Sequence, residues 1–182
     1  MYYNINNSEW YVNNDVLYIN LEYKNIAVII YNIQIAHYVS ELYYFKNKKI
    51  KRKDDNELFI HHIATLILIC GSYYYKFLQS GMFVMYLHDI NDIFMHLSKV
   101  LVYLKYTEKI TNVTFGVFIL SWFYTRLYLL PNLIISYFKQ EFYTTFMICL
   151  IILYILNLYW FKLIIHILIK KLVSNKLEDI RE

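Results

Sequence analysis

The chain has 182 residues, of which 59% are hydrophobic, 20% aromatic and 18% charged, with a formal net charge of +4, three glycines and one proline. One domain of this size has too little interior to hide that much apolar surface, which argues against a water-soluble globule. It also argues against a disulfide scaffold, because the two cysteines, Cys70 and Cys149, both fall inside apolar runs.

The expected class is an all-α integral membrane protein. Residues 1–24 are polar, rich in Asn and Tyr, and carry no Lys or Arg before Lys24. No basic-then-apolar pattern at the start marks a cleavable signal. Five apolar stretches follow, at about 25–45, 58–78, 81–104, 112–138 and 143–169. Each is close to the ~20 residues that a spanning helix needs. Short connections make consecutive helices antiparallel neighbours. Pro131 is expected to kink the fourth helix.

Basic residues set the expected orientation. Lys46, Lys48, Lys49, Lys51, Arg52 and Lys53 crowd the first connection, Lys105 and Lys109 the third, and Lys170, Lys171, Lys176 and Arg181 the C-terminal end. The opposite side has Lys24, Lys76 and Lys139. By the positive-inside rule the crowded side is cytosolic and the N-terminus luminal. The chain then divides into a luminal segment 1–24, a membrane domain 25–172 and a cytosolic tail 173–182.

The second and third stretches carry unusual cargo for apolar helices. FIHHIATLILI holds His61 and His62; FVMYLHDINDIFMHLSK holds His88, Asp89, Asp92, His96 and Lys99. Each ionisable group costs roughly 2.5–3.5 kcal/mol to insert at a helix centre. Interhelical hydrogen bonds contribute only about 0.6 kcal/mol on average. His61, His62, His88, Asp89 and Asp92 together therefore exceed what helix association needs. Helical spacing aligns Asp89, Asp92, His96 and Lys99 on one stripe with His88 on its border. On the first helix Gln34, His37 and Glu41 share a face. Single groups such as His37, Glu41 and His166 are read as helix glue.

Two chemistries fit. In acyl transfer, a neutral imidazole attacks a thioester or deprotonates an amine, while a carboxylate orients it. In metal ligation, His and Asp would be ligands, but HH and HDxxD fall short of spaced boxes such as HxxxH, and no metal is expected. The Lys46–Lys53 cluster reads first as a topology anchor. Lying just before His61, it also suits the phosphates of a cofactor such as coenzyme A.

IKRKDDNELFIHHIATLIL, then Gly81, LHDINDIFMHLSK and TRLYLLP, closely resemble the longevity-assurance motif of ceramide synthases within the TLC domain family. His61 and His62 fall on the histidine pair, and His88, Asp89 and Asp92 on the His-Asp-x-x-Asp. Tyr103, Arg126, Pro131 and the tail SNKLEDIRE also match. Gln79, Lys76 and His96 depart from the pattern, and the connection near Phe138–Phe142 is short for it.

The resemblance implies an endoplasmic-reticulum enzyme that N-acylates sphinganine or sphingosine with a fatty acyl-CoA. Its substrates would be the acyl-CoA, as co-substrate and not a permanent cofactor, and the long-chain base. Its surroundings would be membrane lipids, with room for a homo- or hetero-dimer and no nucleic acid. His61, His62, His88, Asp89 and Asp92 would be catalytic, and Lys51, Arg52 and Lys53 would bind the acyl-CoA phosphates. The family fold is a helical barrel around a lipid cavity. With about five transmembrane helices, this chain would form an incomplete one, as a fragment or as a barrel open on one side. The alternative is a non-catalytic TLC protein that binds, senses or transports lipid.

Overall fold

The computed structural model describes residues 21–48, 53–75, 77–138 and 144–174. The expectations placed on residues 1–20 of the N-terminal segment, on Lys49, Lys51, Arg52, Lys76 and Lys139, and on the tail from 175 onward lie outside the described residues; residues 21–24 of that segment already belong to the first helix.

Five helical rods run up and down. They are α1 (Leu21–Asn47), α2 (Asp55–Tyr74), α3 (Leu78–Tyr103), a long fourth rod, and α6 (Thr144–Ser174). The fourth rod joins α4 (Glu108–Trp122), a π-helix (Phe123–Leu129) and α5 (Leu130–Phe138). These rods overlie the five expected apolar stretches. Three of them, Asp55–Tyr74, Glu108–Phe138 and Thr144–Val173, are long and apolar enough to cross a membrane. The rods α1 and α3 are as long but carry more polar side chains, among them Asn25, Asn32 and Gln34 on the first and Asp89, Asp92 and Lys99 on the second.

Local sequence explains the ends. Asp55 and Glu57 lie in the first turn of α2, where negative charge meets the positive end of the helix dipole. Lys48, just past α1, pairs with Asp55 across the first connection and also lies over the Phe45 ring. One member of the expected phosphate-binding cluster is thus engaged within the fold. At the end of α3, Lys105 takes a left-handed φ of 50°. Its N–H reaches the Val102 carbonyl and that of Tyr106 reaches Leu101, both at 3.0 Å, which closes the helix and turns the chain toward α4.

Pro131 alters the backbone that precedes it. It lacks the N–H that would continue the α-helical ladder, and its ring crowds the carbonyl four residues back. The turn before it widens into the π-helix Phe123–Leu129, where the Leu130 N–H reaches the Thr125 carbonyl five residues back. This widened turn carries Thr125 and Arg126, both buried.

Three apolar clusters hold the rods together. Leu68, Leu130, Leu133, Tyr137 and Leu150 join α2, α5 and α6. Ala27, Tyr31, Ile69 and Met85 join α1, α2 and α3. Phe115, Phe118, Trp122, Trp160 and Ile164 join α4 and α6. Gly81 permits the closest approach: a β-carbon there would overlap the Tyr31 hydroxyl and come within 2.6 Å of Ser72 Oγ. Outward faces bear exposed Ile, Leu, Tyr and Phe, among them Ile33, Ile93, Leu120 and Ile155, as a lipid-facing surface requires.

Candidate active site

At the end of the bundle where α1 meets α2, the rods surround a cavity of about 780 Å³. Every rod contributes to its wall: Tyr38 from α1, His61 and His62 from α2, Asp92 from α3, Trp122 and Arg126 from the fourth rod, and Trp160 from α6. His37, Glu41, His96 and Lys99 line it as well. Of the polar stripe read on α1, His37 and Glu41 therefore face the cavity, whereas Gln34 turns to α3.

The histidine doublet and His88 come together although they lie on different helices. The His61 ring centre is 5.7 Å from that of His62, 6.0 Å from His88 and 5.3 Å from Trp160, which meets it edge-on. His62 packs between Tyr38 and Phe45, each 5.4 Å away. All three histidines are buried. Nδ1 of His61 and both ring nitrogens of His62 have no hydrogen-bond partner among the described residues. Such groups cost about 1–3 kcal/mol each when left unsatisfied, and a fold keeps them where something else is to be met.

The carboxylates divide. Asp92 faces the cavity and pairs with Arg126 at 2.9 Å. Asp89 turns to α1, where its Oδ2 accepts a 2.7 Å hydrogen bond from Gln34 Nε2. Among the described residues neither carboxylate bonds to an imidazole; the cation between Asp92 and His88 is Arg126. Its guanidinium donates to the His88 carbonyl at 2.8 Å, to Asp92 at 2.9 Å and to Asn157 Oδ1 at 3.4 Å, and lies 4.0 Å over the Trp122 ring. His88 Nδ1 is 2.8 Å from the Val84 carbonyl, and its Nε2 is 3.5 Å from Asn157 Nδ2.

Thus His61, His62, His88 and Asp92 gather at one place, and Asp89 stands behind it on the α1 side. Of the expected phosphate ligands, Lys53 is exposed at the head of α2, and Lys51 and Arg52 lie outside the described residues. Among the described residues no three His, Cys, Asp or Glu side chains converge as a metal site would require.

Motif reading alone gave Asn157, Trp160 and Tyr38 no role. The signal for Asn157 was its place as a lone amide in the run ICLIILYILNLYWF. Arg126 was legible as a cation within a long apolar rod, but its partner was not.

A family model described as TLC domain matches residues 1–166. The chain belongs to this family. Human ceramide synthase 1 is 31% identical over 174 residues, which cover 84% of this chain and 49% of that protein. ASC1-like protein 3 of Oryza sativa subsp. japonica is 32% identical, over 82% of this chain and 57% of its own length. Sphingosine N-acyltransferase lag1 of Schizosaccharomyces pombe is 29% identical, over 83% and 43%. The chain spans about half the length of these relatives. Membership of this membrane-domain family, with three apolar helices of spanning length, makes it a multi-pass membrane protein.

Proposed function

We propose that the protein is a ceramide synthase of the endoplasmic reticulum membrane, transferring a fatty acyl group from coenzyme A to the amine of sphinganine or sphingosine. The observation that carries this reading is the union, in one cavity, of two histidines with unengaged ring nitrogens and an Arg-paired aspartate. The relatives named ceramide synthase and sphingosine N-acyltransferase support it. The five rods cross the bilayer with the N-terminus luminal and the C-terminus cytosolic, so the cavity opens toward the cytosol.

Catalysis runs through His61. As nucleophile, its nitrogen bonds the thioester carbonyl carbon, the C–S bond breaks, and coenzyme A leaves as a thiolate that takes up a proton. The amine nitrogen then displaces the imidazole, forming the amide and giving its proton to the ring. As general base, His61 instead takes the amine proton while the nitrogen attacks the thioester directly; the C–S bond breaks, and the coenzyme A thiolate takes that proton from the ring. In either route an imidazolium or a transferable proton forms beside Arg126, and Asp92 supplies compensating negative charge to that pair. His62 supports His61, and Asp89 fixes α1 through Gln34. Lys51, Arg52 and Lys53 receive the coenzyme A phosphates at the cytosolic mouth.

The test is an assay of acyl-CoA and sphinganine with the full chain in membranes. Wild type should form dihydroceramide, and the double variant His61→Ala/Asp92→Ala should not. Turnover that survives both substitutions eliminates the mechanism. Binding of long-chain base without turnover, and without an acyl adduct by mass spectrometry, would instead identify a lipid-binding protein.

A further inference from the structure

Asn157 lies at the centre of the site with no exposure at all, on a helix whose neighbouring residues are apolar. Its amide faces two groups of fixed hydrogen-bonding sense. Arg126 can only donate, so the atom toward it, at 3.4 Å, is the carbonyl oxygen. The NH₂ group must then face His88 Nε2, which is 3.5 Å away. An NH₂ group is a donor, so His88 Nε2 has to accept. On the other side of the ring, the Val84 carbonyl can only accept, so His88 Nδ1 carries the hydrogen. Two independent constraints, from opposite edges of the ring, select the same neutral tautomer.

We infer that Asn157 is a positioning residue that, braced by Arg126, holds His88 as the neutral Nδ1–H tautomer with a bare Nε2. This rests on the acyl-transfer reading for its kinetic consequence but not for its structural one. His88 has both nitrogens committed inside the protein and lends no proton to the cavity. It forms an uncharged wall behind His61, and the proton traffic of the reaction falls to His61, whose ring lines the cavity. The same bridge couples the two charged members of the site to the histidines: Arg126 holds Asp92 with one nitrogen and, through Asn157 on the other, holds His88.

The test uses ¹⁵N-histidine-labelled full chain in lipid. Wild type should show one buried neutral imidazole with a pyrrole-like Nδ1 and a pyridine-like Nε2. The His88 signal is assigned by its loss in His88→Gln. Asn157→Asp keeps the shape but replaces the NH₂ donor with a second acceptor. A proton should then appear on His88 Nε2. In the kinetic assay kcat should fall about 10- to 100-fold with KM unchanged, the scale of a site misaligned through a residue that does not itself react. The pH profile of kcat should also gain a titration that wild type lacks. A protonated Nε2 in wild type overturns the proposal whether or not the protein turns over. So does Asn157→Asp with the wild-type rate and pH profile. If Asn157→Asp fails to fold, the wild-type spectrum alone decides. Absence of turnover in wild type, with the expected spectrum, would count against the acyl-transfer reading and leave the tautomer assignment standing.

Discussion

At one end of the bundle Tyr31, Ser72 and the Leu78 carbonyl form a closed knot between α1, α2 and α3. The Tyr31 hydroxyl is 3.0 Å from Ser72 Oγ and 3.2 Å from the Leu78 carbonyl, and Ser72 Oγ is 3.1 Å from the Ile69 carbonyl. Two hydroxyl hydrogens always find an acceptor there. At the other end His61 and His62 stand with ring nitrogens that no described residue engages. Both clusters are buried and both join helices, yet only the first is complete without a guest. Polar groups recruited for packing are satisfied by the fold itself, whereas polar groups recruited for chemistry are left open toward a cavity. If that distinction holds, substitutions at the two ends should separate stability from turnover.

The largest effect should come from His61→Ala. Loss of a base or nucleophile should lower kcat by about 10²- to 10⁴-fold, with little change in the thermal unfolding of the protein in detergent. His61 Nδ1 makes no hydrogen bond among the described residues, so the substitution costs ring packing against His88 and Trp160 but no bond at that nitrogen. A strongly destabilised His61→Ala would erase the contrast. Arg126→Leu is expected to be next and to injure both properties, because Arg126 belongs to both kinds of structure. It leaves Asp92, the His88 carbonyl and Asn157 Oδ1 without their donor. Breaking a buried pair costs about 3 kcal/mol here, the lower end of the usual range, because the Asp92 side chain is 44% exposed and partly hydrated. Denaturation of the detergent-solubilised variant measures this. An unchanged midpoint would mean that Arg126 serves chemistry alone.

The two ends also differ in how far they could be read from sequence. The rods were legible because apolar length is a local property, and all five fall where the hydropathy placed them. His61, His62, His88 and Asp92 were legible as a set because charge in an apolar helix demands a reason. Their partners were not. Which carboxylate turns to the cavity depends on the rotation of α3 against α1, fixed by the Gln34–Asp89 bond and the Tyr31–Gly81 contact, and neither is written in spacing along one helix. Arg126 reaches the site from the turn that widens before Pro131, a response of the backbone to a missing N–H that apolar length along the chain does not report. Asn157 lies 69 residues from His88 in the chain, and only the packing of α6 against α2 and the π-helix brings them together.

Smaller effects belong to the closed knot. Gly81→Ala places a β-carbon on the Tyr31 hydroxyl and 2.6 Å from Ser72 Oγ, and should destabilise by about 2 kcal/mol through overpacking. Tyr31→Phe should cost only about 1 kcal/mol, the net worth of a neutral hydrogen bond, since Ser72 keeps the Ile69 carbonyl. It should leave turnover within about two-fold of wild type, because Tyr31 does not line the cavity of His61. The informative measurement is the pair. In Tyr31→Phe/Gly81→Ala the hydroxyl that the added β-carbon overlaps has been removed, and the next atom of that side chain, the ring carbon, is at 3.0 Å. The double variant should therefore lose less stability than the sum of the single variants, by about 1 kcal/mol. Strict additivity would mean that α3 relieves the clash by shifting as a whole. In that case Asp92 and His88 move with it, the two ends of the bundle are mechanically linked, and Gly81→Ala should lower kcat as well.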